Sequence, residues 1–188
     1  MVRNHILWFI LFGVVLIYNA LQEKYYLLIY YTVWTFILEI SYFASKIMHW
    51  DSIADHIWPY LYAPAIVVCM GFWIIVAPVH LKNQTRTNMI TLVVTHGFNM
   101  LAVLVQKKPI YTKDIWKPVI YTVLYNLFLA IYVEGGGRSI SGRLPYWYAQ
   151  YDRPIGWVFA GLACSAAALV HFFLAQPTPK KTTTQYIV

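Results

Sequence analysis

The sequence predicts an all-α protein, a polytopic membrane six-helix bundle. Three observations predict it. Six apolar stretches are separated by short polar breaks. Hydrophobic residues make up 60% of the 188 positions and charged residues 11%, well under the roughly 25% charged content of soluble domains. Period-2 alternation is absent, so the stretches do not read as barrel strands. Lipid offers the backbone no hydrogen-bond partners, and only helices or closed barrels satisfy every peptide group internally. A helix of ~20 apolar residues crosses a bilayer, and flanking aromatics make a somewhat shorter one sufficient.

The first stretch, Ile6–Leu21, follows Met1-Val2-Arg3-Asn4-His5. A basic start before an apolar run resembles a signal peptide, but no small-x-small cleavage site follows, so a retained first helix is expected. The second is Leu27–Ala44, the third Tyr60–Val79 and the fourth Met89–Val105. The fifth is Val119–Val133 and the sixth Ile155–Ala175. Tyr25, Tyr26, Trp50, Trp58, Trp116 and Trp147 fall near the ends of these stretches, where amphipathic rings prefer the headgroup zone. Residues 1–176 form one six-span domain, and 177–188 a polar tail. Alone, such a tail is disordered; its Tyr186-Ile187-Val188 ending fits a PDZ groove only as a short, common pattern. The longest break, Glu134–Pro154, opens on Gly135-Gly136-Gly137. It lacks the Gly-Lys-Ser/Thr pattern of a phosphate loop and reads as a mobile turn leading to an interfacial aromatic segment.

The net charge of +7 does not indicate nucleic acid, because the basic residues lie in short loops where anionic lipid headgroups meet them. With both termini on one side, that side carries 8 basic residues: Arg3, Lys46, Lys107, Lys108, Lys113, Lys117, Lys180 and Lys181. The other side carries 6: Lys24, Lys82, Arg86, Arg138, Arg143 and Arg153. The bias favours termini in the cytoplasm, or in the matrix of a mitochondrial inner membrane. The sequence does not distinguish that membrane from an endomembrane or plasma membrane. Asn83-Gln84-Thr85 matches the glycosylation pattern but lies close to the third span, and an unmodified loop is expected. Cys69 and Cys164 both fall inside spans and read as small apolar residues. His49 and His56 share a loop with Asp51 and Asp55, but no His-x-x-x-His or Cys-x-x-Cys spacing occurs. No metal and no cofactor is expected. The expected partners are membrane lipids, and proteins meeting the membrane faces or the tail.

Polar residues inside spans are costly and usually face the bundle. Thr32, Thr35 and Glu39 lie within about 60° of arc on the second span, at 100° per residue. His96 and Asn99 share a face of the fourth. Both helices cross in the same direction, and both sets lie roughly 8–15 Å below the same membrane face at 1.5 Å per residue. They meet if the two helices pack together. Two readings follow. In the first, Thr32 is a nucleophile whose proton passes to His96, Glu39 orients the imidazole, and Asn99 donates to a developing oxyanion. In the second, which spacing alone favours, Thr35, Glu39, Asn99 and their neighbours bridge helices without chemistry, at ~0.6–2 kcal/mol each.

Several of these residues stand in short motifs. They are Tyr30-Tyr31-Thr32-Val33-Trp34-Thr35 leading to Glu39, Phe72-Trp73-Ile74-Ile75, Thr95-His96-Gly97-Phe98-Asn99, and Gly142-Arg143-Leu144-Pro145-Tyr146-Trp147. In order and spacing the set resembles the androgen-induced and androgen-dependent TFPI-regulating protein family, over about two-thirds of the chain. The resemblance implies a six-span membrane threonine hydrolase acting on fatty-acid esters of hydroxy fatty acids, with Thr32 as nucleophile. One position departs from the pattern. Where catalytic members carry a second histidine, this chain has Asn99, and an amide takes no proton at neutral pH. Either His96 is the base, or the scaffold persists without hydrolysis as an accessory subunit of a membrane complex whose polar seam holds helices or lipid.

Overall fold

The computed structural model describes residues 2–80, 86–139 and 141–178. The described residues are helical, with no strand among them and one isolated bridge between Tyr111 and Gln176. α1 is Val2–Glu23, and a 3-10 segment, Lys24–Ile29, leads to α2, Tyr31–Ile47. α3, Asp51–Gly71, runs through a π-helical turn, Phe72–Val76, into α4, Ala77–His80. α5, Arg86–Val93, runs through a second π-helical turn, Val94–Phe98, into α6, Asn99–Leu104. A short 3-10 turn, Thr112–Asp114, precedes α7, Trp116–Glu134, and α8 is Pro154–Leu174.

Among the described residues, four helices are long and apolar enough to cross a membrane: Asn4–Gln22, Asp51–Ile75, Thr112–Glu134 and Pro154–Leu174. The other two expected spans are shorter. α2 has 17 residues, and the apolar part of the α5–α6 rod is Met89–Leu104. The second span begins as α-helix at Tyr31 rather than Leu27, because residues 24–29 wind as a 3-10 helix. The third begins at Asp51 rather than Tyr60. Asp51 supplies an acidic first turn, which suits the positive end of a helix dipole, and it pairs with Lys46. The intervening turn is a Schellman-type end: His49 takes φ 58°, Trp50 N–H reaches Ser45 O at 2.8 Å and His49 N–H reaches Lys46 O at 3.4 Å, a motif that satisfies the last carbonyls of α2.

The main core joins α1, α2, α3 and α6 through Phe12, Phe36, Phe43, Trp58, Leu61 and Val103, all buried. α7 and α8 pack together around a second cluster that includes Tyr125, Leu129, Ala149, Tyr151 and Ala160. That second cluster corrects the reading of Glu134–Pro154 as a mobile turn ahead of an interfacial segment. The loop is built into the fold: Ala149 and Tyr151 are buried in it. A Cβ on Gly156 would lie 2.7 Å from the Gln150 carbonyl oxygen, so only glycine lets the first turn of α8 approach this loop. At the other end of α8, Gln176 N–H bonds Ile110 O at 2.8 Å and Thr112 N–H bonds Gln176 O at 3.1 Å, while the buried His171 ring bonds Tyr111 O at 2.9 Å. The glycosylation-type triplet at 83–85 and the 186–188 ending lie outside the described residues.

Candidate active site

α2 carries Thr32 as its second residue, and the π-helical turn 94–98 carries His96. The two side chains meet: Thr32 Oγ1 lies 3.2 Å from His96 Nε2. The other ring nitrogen fixes the direction of this bond. His96 Nδ1 is 3.1 Å from the Leu92 carbonyl oxygen and 2.8 Å from Thr95 Oγ1. Thr95 Oγ1 donates to the same carbonyl at 3.3 Å. A carbonyl only accepts, so Nδ1 carries the proton and donates. Nε2 is then the bare nitrogen, and the Thr32 hydroxyl must donate to it. This is the arrangement a hydroxyl nucleophile needs before a base removes its proton.

The imidazole is also held from one face. The Phe72 ring stacks on it with centroids 3.7 Å apart and planes 17° from parallel. Phe72 opens the first π-helical turn and His96 sits within the second, so the two interruptions of regular winding meet at this contact. Such turns concentrate at functional sites. Ahead of His96 the winding brings the Leu92 carbonyl within reach of two side chains. A Cβ placed on Gly97 would meet nothing within 4 Å outside its chain neighbours.

The contact expected between Glu39 and the His96 ring is not made among the described residues. Glu39 is fully buried with neither oxygen partnered, and the orienting group on His96 Nδ1 is the Leu92 carbonyl. Asn99 is fully buried with neither its amide nitrogen nor its oxygen partnered, one helical turn from the pair. Thr35, also fully buried, donates to Tyr31 O at 3.1 Å. The polar residues therefore share a seam, in which Thr32 and His96 are in contact.

Composition and spacing gave no signal for the residues that hold the start of α2. Tyr31 N–H donates to the Tyr146 hydroxyl at 3.1 Å. Burial pushes the Tyr146 phenol above its ordinary pKa, so it stays a neutral hydroxyl. Val33 and Trp34 N–H both reach the Tyr30 carbonyl, at 3.0 and 3.3 Å. The carbonyls one turn back also accept from side chains: Leu28 O from Trp34 Nε1 at 2.8 Å, and Ile29 O from the Tyr125 hydroxyl at 2.8 Å. The sequence marks Tyr146 as an interfacial aromatic and, through Leu144-Pro145-Tyr146-Trp147, as part of the family resemblance, and neither points to α2 as its partner.

Two recesses lie elsewhere. One of about 350 Å³ is lined by residues of the 134–153 loop, including Glu134, Arg138 and Arg153. The other, of about 330 Å³, opens between α2 and α7 at Trp34, Ile37, Leu38, Tyr121 and Phe128. Neither is lined by Thr32 or His96. No group of three or more His, Cys, Asp or Glu residues able to hold a metal occurs among the described residues. No family model matches the chain, and neither does any curated protein or solved structure.

Proposed function

We propose that the chain is a six-span membrane protein that hydrolyses lipid esters, with Thr32 as nucleophile and His96 as general base. The observation that carries this is the 3.2 Å contact between Thr32 Oγ1 and His96 Nε2; the Leu92 carbonyl 3.1 Å from Nδ1 favours the tautomer in which Nε2 accepts. Thr32 Oγ1 attacks the ester carbonyl carbon as its proton moves to Nε2. The tetrahedral adduct collapses, and the departing alkoxide takes that proton and leaves as an alcohol. Water then attacks the acyl-Thr32 carbonyl, gives a proton to Nε2, and releases the fatty acid as Thr32 regains its hydrogen. The net change is ester plus water to acid plus alcohol. The resemblance to threonine hydrolases of fatty-acid esters of hydroxy fatty acids supports the substrate class. His96 then does the work that a second histidine at the Asn99 position does in that family.

Six crossings fit the lengths. α2 alone spans about 25 Å at ~1.5 Å per residue, short of the ~30 Å hydrocarbon core, and the 3-10 segment ahead of it adds length. The membrane is an endomembrane, plasma membrane or mitochondrial inner membrane, with the termini on the cytoplasmic or matrix side. The test is labelling by a fluorophosphonate, which forms an adduct with an activated hydroxyl. Wild type is expected to label and Thr32→Val, which keeps shape and loses the oxygen, is not. A wild type that never labels, or a label that persists in Thr32→Val, overturns the reading.

A second reading, a non-catalytic subunit of a membrane complex, is favoured by one observation: the spans of α1 and α8 are each only 11% buried within the chain. It expects no labelling and co-purification with stoichiometric partners in mild detergent.

A further inference from the structure

We infer that Tyr146 is a positioning residue, and that its phenol holds the first turn of α2 so that the Thr32 hydroxyl stays on its line to His96 Nε2. This rests on the hydrolase reading and adds to it the residue that aims the nucleophile.

A helix start leaves its first N–H groups without intrahelical acceptors. Tyr146 takes Tyr31 N–H at 3.1 Å, and the Tyr30 carbonyl takes Val33 and Trp34 N–H. Thr32 lies between these anchored residues. The direction in which its hydroxyl leaves the helix, and with it the 3.2 Å line to His96 Nε2, is set by where that turn is held. A displacement of about 1 Å is enough to cost a reaction of this kind much of its rate.

The geometry also shows why that turn stays put. The Tyr125 hydroxyl donates to Ile29 O at 2.8 Å, and it lies 3.5 Å from the Tyr146 hydroxyl. The Thr122 hydroxyl gives its proton to Pro118 O at 2.8 Å, so at 2.8 Å it must accept from the Tyr31 hydroxyl. Three phenols thus fix residues 29–31 from α7 and from the 135–153 loop. Removing the Tyr146 oxygen frees Tyr31 N–H and lets the turn relax away from the Thr32–His96 line.

The experiment compares Tyr146→Phe with Tyr148→Phe in the full chain in lipid nanodiscs. Tyr148 stacks its ring on Tyr146 and Phe159, so its substitution controls for loss of a phenol in the same loop. Hydrolysis of an activated acyl ester is measured together with thermal melting. Tyr146→Phe is expected to lower kcat by about tenfold or more with KM unchanged, and to melt with Tyr148→Phe, which keeps the wild-type kcat. Wild-type kcat in Tyr146→Phe overturns the inference while Thr32 labelling still supports the hydrolase. Absence of labelling in wild type overturns both. If Tyr146→Phe fails to fold, Thr122→Val loosens Tyr31 from the opposite side: a fall in kcat at unchanged KM supports the inference, and an unchanged kcat overturns it.

Discussion

Glu39 illustrates how residue chemistry and residue position part company. Its carboxyl is fully buried without a partner, and an unsatisfied buried polar atom costs about 1–3 kcal/mol. Glu39→Leu is therefore expected to raise the thermal midpoint and to leave fluorophosphonate labelling at the wild-type rate. Slower labelling with unchanged melting would mean that the carboxyl acts on His96 after all. The approach of Thr32 to His96 was legible in the sequence, because counting residues along two helices gives depth. The proton's place on Nδ1 was not. It depends on Leu92 and Thr95, an aliphatic residue and a hydroxyl that no spacing rule connects to a base. Asn99 and Glu39 both lie buried, as their spacing indicates, but inward covers a wide arc, and for Glu39 it does not reach the His96 ring.

The elements show the same division. The apolar runs located the helices, and the sixth, expected over Ile155–Ala175, lies at Pro154–Leu174. The turn that ends α2 and the early start of α3 were not legible, because His49 takes a left-handed conformation that glycine usually supplies and the first residues of α3 are polar. Nor were the π-helical turns, since winding by one extra residue leaves no mark on hydrophobic periodicity over so few positions. The loop 135–153 was misread because its glycines announce a turn but say nothing of what docks against it. Gly156→Ala measures that docking. Its Cβ would meet backbone at 2.7 and 2.9 Å, which cannot move aside as a side-chain tip can, so a loss of about 1–3 kcal/mol is expected in chemical or thermal unfolding. Gly161→Ala on the same helix meets nothing within 4 Å and should melt like wild type or slightly higher.

At the scale of the whole molecule, the question is how many helices cross. Single cysteines at Ser52 and Ser141, in a background of Cys69→Ala and Cys164→Ala, answer it with a membrane-impermeant maleimide on sealed vesicles. Six crossings put the two positions on opposite sides, so each is modified from a different compartment. If only the four longest apolar helices cross, both react from the same side. Under the proposed six-span hydrolase reading, the bundle also bears on how a site set in the bilayer could work. An ion carried into hydrocarbon costs several kcal/mol. The partner that turns the His96 imidazole is a peptide carbonyl, a dipole with no net charge. The resting pair thus asks the bilayer to solvate no ion. Separated charge would exist only during turnover, which ties the reaction's speed to how well a few fixed dipoles replace absent water.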